Sequence, residues 1–129
     1  MDYWWVDRAD IVTLNAFFAE ALGTFFLVLM IFRLTTEENE HKLLTPFYIG
    51  FVVAAIICIV APLTQAGLNP ARDLAPRLFS YFAGWEKAAF SAPNMGWLSV
   101  YVIAPITGGV LAHFFNTLIL TPKEVTEHS

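Results

Sequence analysis

Hydrophobic and polar positions along this chain fall in long blocks. Apolar runs extend over residues 14–34, about 46–61 and 97–120, with polar or charged stretches between them. A helix needs about 20 apolar residues to cross some 30 Å of hydrocarbon, so each run predicts a membrane span. The second run is rich in Ile and Val, but its length and lack of turn signals favour a helix over a strand. Pro46 opens that run, and Pro62 is expected to end it. Residues 62–85 break the pattern with Gly, Pro and charge. Within them Asn69 is suited to cap a helix with its side-chain oxygen, and Pro70 suits the first helical position. Asp73 would lie in the first turn, Arg77 follows at i+4, and Gly84 is a natural stop. A helix from Pro70 to about Ala83 would be roughly 20 Å long, too short to cross. The predicted fold is an all-α membrane protein with three transmembrane helices and a re-entrant loop carrying a half-spanning helix. Residues 1–13 would form an interfacial segment, 14–120 the membrane domain and 121–129 a tail.

Composition supports this reading. At 57% hydrophobic and 14% charged residues, with a mean hydropathy of +0.61, the chain has the make-up of a membrane protein. A formal charge of −4 without a basic run argues against nucleic acid as a partner. The single cysteine, Cys58, excludes an internal disulfide, and no metal or cofactor site is expected. The opening Met1-Asp2-Tyr3-Trp4-Trp5 lacks the basic start and cleavage site of a signal peptide. Tyr3, Trp4 and Trp5 among charges, and later Trp85 and Trp97, suit the membrane–water interface. Orientation is not legible from charge: Arg33, Lys42 and Lys123 on one side balance Arg8, Arg77 and Lys87 on the other.

An irregular backbone between spans must be enclosed by protein or line a wet cavity. That makes the 62–85 stretch a candidate pore lining. Arg72 is its informative charge, because a guanidinium at membrane depth needs a polar cavity and partners. Asn69 and Arg72 are three residues apart on one helix face, where an amide and a cation could hold hydroxyl groups and repel cations and protons. Glu20 is a carboxylate inside the first apolar run and also needs partners. Gly23 and the pair Gly108-Gly109 permit close helix approach, and Pro105 should kink the last span. Thr35 to Thr45, with His41 among acids, reads as a solvated loop. Residues 86–96 read as a polar turn around Pro93 and Asn94, and Thr121-Pro122 as the stop of the last helix. His113 reads as a structural histidine.

Asn69-Pro70-Ala71-Arg72-Asp73 resembles the second Asn-Pro-Ala signature of the aquaporin superfamily in its glycerol-facilitator form. The similarity continues through Leu74-Ala-Pro-Arg-Leu-Phe and Ala83-Gly84-Trp85, and more loosely from about Phe17 to Phe115. It corresponds to the C-terminal half of such a channel; the chain holds no second Asn-Pro-Ala and no internal repeat. The resemblance implies that Asn69, Pro70, Ala71, Arg72, Ala66 and Ile57 line the pore, with the carbonyls of Gln65, Ala66, Gly67 and Leu68 forming an acceptor ladder. It implies that Glu20 braces the loop by accepting backbone N–H bonds, and Asp73 and Arg77 are counted with it as loop supports. It further implies a multi-pass protein of the plasma or inner membrane, with 35–45 and the tail cytoplasmic and the pore loop entering from outside. A complementary half-channel, and a homo-oligomer of assembled channels, are the implied partners.

The same resemblance points to glycerol and other small neutral solutes, with water possible. Asp73, Arg77, Pro105-Ile106 and Ile57 stand where water-selective members usually carry other residues. Ala66 departs from bacterial glycerol facilitators, which often have an aromatic there, and implies a wider or less aromatic constriction. The alternative is a non-conducting truncated membrane fragment with a structural or regulatory role. An intramembrane enzyme built on Glu20, Asp73 or His113 lacks any nucleophile–base pair of recognisable spacing.

Overall fold

The computed structural model describes residues 4–37, 39–90 and 96–120. The expected turn at Pro93 and Asn94, the Thr121-Pro122 stop, the 121–129 tail and the side chains of the first aromatics lie outside the described residues. Helix α1 spans Trp4–Leu34, α2 Thr45–Thr64, α3 Pro70–Ser80, and α4 Gly96–Leu120. Among the described residues, α4 and the Val12–Leu34 and Lys42–Thr64 segments are long and apolar enough to cross a membrane. The fold is therefore all-helical, with α3 as the short helix between the second and third spans.

Helix α1 runs unbroken from Trp4, residues 4–13 holding neither Gly nor Pro, and its membrane-spanning part begins at Val12. One helix end differs from the sequence reading. Helix α2 does not end at Pro62 but continues to Thr64. A proline this near a C-terminus forfeits only one late hydrogen bond. The real stop is Gln65, whose left-handed φ of 65° turns the chain while its N–H closes on the Ala61 carbonyl at 2.8 Å. In α4 the irregularity lies before Pro105, as a widened π turn over Ser99–Ile103 that closes through the Ala104 N–H and the Ser99 carbonyl. Such a bulge accommodates a ring that cannot donate to the turn below it. Helix α3 continues as another wide turn, Tyr81–Trp85, and Gly84 at φ 107° supplies the left-handed stop.

Helix α1 is the central strut, packed against both α4 and α2. Its contact with α4 is made by small residues. A Cβ on Gly108 would overlap the Ala21 carbonyl oxygen and lie 3.0 Å from the Phe25 nitrogen, so the two backbones touch. Ala104 and Ala112, one turn to either side, are fully buried on the same stripe. Gly109 has only the Val28 side chain nearby, at 3.9 Å. Gly108→Ala is therefore expected to cost about 3 kcal/mol or more through backbone overlap, whereas Gly109→Ala should stay within about 1 kcal/mol. Unfolding of the two variants in detergent measures this, and equal stability would contradict the tight α1–α4 contact.

Large apolar side chains such as Phe18, Phe26, Phe51, Ile59, Leu111 and Phe114 point outward. On spanning helices such a surface suits hydrocarbon or the apolar face of another helix. The buried apolar centre is small and surrounds the loop after α2: Val60, Ala66 and Leu68, packed on by Ala19, Leu27, Ile56, Ile57 and Ala61.

Candidate pore and selectivity site

The loop joining α2 to α3 is built against backbone preference. Gln65, Ala66 and Leu68 all take left-handed φ values, 65°, 54° and 55°, without being glycine. Each such residue costs roughly 1–2 kcal/mol, so the conformation needs external ties. The principal tie is Glu20 on α1, whose side chain is fully buried. Its Oε1 accepts the Gly67 N–H at 2.8 Å and its Oε2 the Leu68 N–H at 2.6 Å. The Thr64 hydroxyl also donates to Oε1 and in turn accepts the Ala66 N–H at 3.2 Å. One turn along α1, the Thr24 hydroxyl donates to the Leu68 carbonyl at 3.3 Å. With its N–H groups drawn toward α1, the loop has its Ala66 and Gly67 carbonyls on the side of Arg72.

Helix α3 begins where this loop ends. Asn69 caps it, its Oδ1 accepting the Ala71 N–H at 2.9 Å, with Pro70 next. The cap leaves the Asn69 side-chain NH2, a donor pair, beside the cavity that the residue lines. Arg72 folds back over the loop, and its Nη1 donates to the Ala66 carbonyl and, at 3.3 Å, to the Gly67 carbonyl. Ala71 is exposed beside it.

Two cavities flank Arg72. The first, about 300 Å³, is lined by Thr64, Gln65, Gly67, Arg72, Asp73, Arg77 and Tyr101 and is strongly polar. The second, about 570 Å³, is mostly apolar; Ile57, Leu68, Asn69, Pro70 and Ile106 are among its walls. Gly67 and Arg72 belong to both. Arg72 and Gly67 thus line both a polar and an apolar space. Walls of this kind can offer a hydroxylated molecule donors and acceptors on one side and hydrocarbon on the other. The lower wall of the polar cavity is braced by the Asp73–Arg77 ion pair, at 2.6 Å and largely shielded from solvent. Arg77 Nη1 also donates to the Ala89 carbonyl at 3.0 Å, tying α3 to the turn after it.

The Major intrinsic protein family profile matches residues 5–116. The chain belongs to this family. It is similar to Aquaglyceroporin-2 of Rhizophagus irregularis, with 41% identity over 108 residues, 82% of this chain and 34% of that protein. It is also similar to Aquaporin-10 of Homo sapiens, 37% identical over 75% of this chain and 33% of the relative. The Glycerol uptake facilitator protein of Pseudomonas aeruginosa is 37% identical over 75% of this chain and 36% of its own length. The chain therefore spans about a third of the length of these relatives. No solved structure matches it. Members of the family are channels and not enzymes, and with its apolar helices this one is an integral membrane protein.

Within this major intrinsic protein chain, the residues singled out from sequence do not all contribute in the way expected. Ala66 is fully buried, and the residue offers its carbonyl to Arg72. The carbonyl ladder is partly occupied from within, since Leu68 is engaged by Thr24 and Ala66 and Gly67 by Arg72. Pro105 is fully buried, while Ile106 lies on the apolar cavity. His113 sits between aromatic rings, 5.9 Å from Phe32 and 5.8 Å from Phe114. Three residues near the loop escaped the sequence reading: Thr24, Thr64 and Tyr101. Hydroxyls inside apolar runs were the available signal, because a buried hydroxyl requires a partner.

Proposed function

We propose that the chain forms half the wall of a passive transmembrane channel for glycerol and other small neutral solutes, water among them. One observation carries this reading: Arg72, held by loop carbonyls, lines both a polar cavity and an apolar one. A fixed cation beside a hydrogen-bonding wall passes neutral hydroxylated molecules and opposes cations and protons. Similarity to proteins named for aquaglyceroporin and glycerol uptake supports the solute class. Asn69, Pro70, Ala71 and Arg72 with the Gln65, Gly67 and Leu68 backbone and Ile57 would line the passage. Glu20, Asp73 and Arg77 would hold it in shape.

A complementary half would complete the wall. Channels built from inverted repeats place their sites where two half-helices meet near the midplane, and α3, 11 residues long and capped by Asn69, would be one of the pair. Left alone in a bilayer, Arg72 and its carbonyls would face hydrocarbon, which the membrane penalises. The assembled channel would reside in the plasma or inner membrane and group as a homo-oligomer. The test is glycerol efflux from vesicles that hold the chain with or without a co-expressed N-terminal half. Efflux that depends on Arg72 is expected only with both halves. Arg72-dependent efflux from the chain alone, with a single orientation confirmed by cysteine labelling, would overturn the half-wall reading. No efflux from either preparation would favour a non-conducting fragment with a structural or regulatory role.

A further inference from the structure

We infer that Tyr101 on α4 is a positioning residue of the pore loop, a second support beside Glu20. Three contacts carry this. Its hydroxyl donates to the Thr64 carbonyl at 2.9 Å, the last carbonyl of α2 before the left-handed turn. Its ring lies against Gly67 so closely that a Cβ there would be 2.7 Å from Cδ1. The Arg77 guanidinium stands 5.6 Å from the ring centroid, within cation–π range.

These contacts explain a glycine that backbone geometry does not. Gly67 is absent from the residues with positive φ, although its neighbours Ala66 and Leu68 are among them. The position is glycine because the tyrosine ring occupies the space of a side chain. Glu20 holds the loop from α1 by its N–H groups, and Tyr101 holds it from α4 by a carbonyl and a surface. The loop is thus clamped between two spans, and Arg77, paired with Asp73, faces the same ring. Tyr101 also lines the polar cavity, so the residue that fixes the loop shapes the space in front of Arg72. The inference rests on reading this loop as the pore lining, but its test does not depend on conduction.

The test is hydrogen–deuterium exchange of the full chain, reconstituted with its complementary N-terminal half in phosphatidylcholine vesicles, read at the Gly67 and Leu68 amides and in α1. Tyr101→Phe keeps the ring and removes one hydrogen bond, so loop exchange should quicken by about fivefold. Tyr101→Leu removes the ring as well and should quicken it further, with exchange in the first half of α1 unchanged in both. Gly67→Ala should also speed exchange at Leu68, and should lose that effect in a Tyr101→Leu background, where the methyl has room. Loop exchange within twofold of the parent in the Phe and Leu variants would overturn the inference. So would equal acceleration throughout α1, the mark of general destabilisation. A parent chain that exchanges as expected yet passes no glycerol with its complementary half would refute the channel reading and leave the clamp standing.

Discussion

Glu20→Ala is expected to release the pore loop, leaving the Gly67 and Leu68 N–H groups without their acceptor in a buried site. At roughly 1–3 kcal/mol for each orphaned donor, the loss is about 2–6 kcal/mol. It falls on a segment already strained at Gln65, Ala66 and Leu68. Glu20→Gln should behave differently. An amide oxygen still accepts one of the two N–H bonds, but the amide NH2 meets the other donor head-on. The Gln variant should therefore retain part of the stability and, with the complementary half, part of the flux. Chemical unfolding and vesicle efflux of both variants measure the difference. If the Gln and Ala variants behaved alike, and both like the parent, Glu20 would have no bracing role.

Arg72→Ala is expected to change what is excluded more than what passes. The substitution removes the fixed positive charge that borders both cavities and leaves the loop carbonyls in place. A unit charge about 4 Å away, at an effective dielectric of about 20, opposes a passing cation by about 4 kcal/mol. That corresponds to roughly a thousandfold in rate. In vesicles carrying both halves, the variant should conduct protons or small cations while glycerol efflux persists. The Ala66 and Gly67 carbonyls, no longer engaged by the guanidinium, would add acceptors that favour cations. Proton and cation exclusion unchanged beside a normal glycerol flux would remove Arg72 from the passage.

Much of this protein is legible in its sequence because the relevant forces are local. Three long apolar runs can be satisfied only by hydrocarbon or by each other, which makes them spans. The start of α3 is written in consecutive residues: Asn69 caps, Pro70 needs no donor, and Asp73 and Arg77 pair across one turn. Gly84 marks a stop because it alone there takes φ 107° without strain. Glu20 was conspicuous as a carboxylate in an apolar run, though the run itself does not say which groups it meets.

The loop was less legible, for two reasons. Pro62 is a strong local breaker, but so near the helix end its lost hydrogen bond is outweighed by the Gln65 cap on Ala61. Left-handed backbone is ordinarily read from glycine, yet here it falls on Gln65, Ala66 and Leu68, and Gly67 serves space. Local preference failed because ties from far along the chain outweigh it.

By itself, the sequence determined the class of the protein, the number of spans, the capped half-helix and the charged face of that helix. Only the tertiary structure decided which groups hold the loop and which way its carbonyls face. Glu20 meets the loop across 47 and 48 residues, and Tyr101 meets Thr64 across 37. Those meetings depend on how α1 and α4 are rotated about their axes. That rotation is set by the backbone contact at Gly108 and Ala21, a fit of shapes between two helices that neither helix specifies alone.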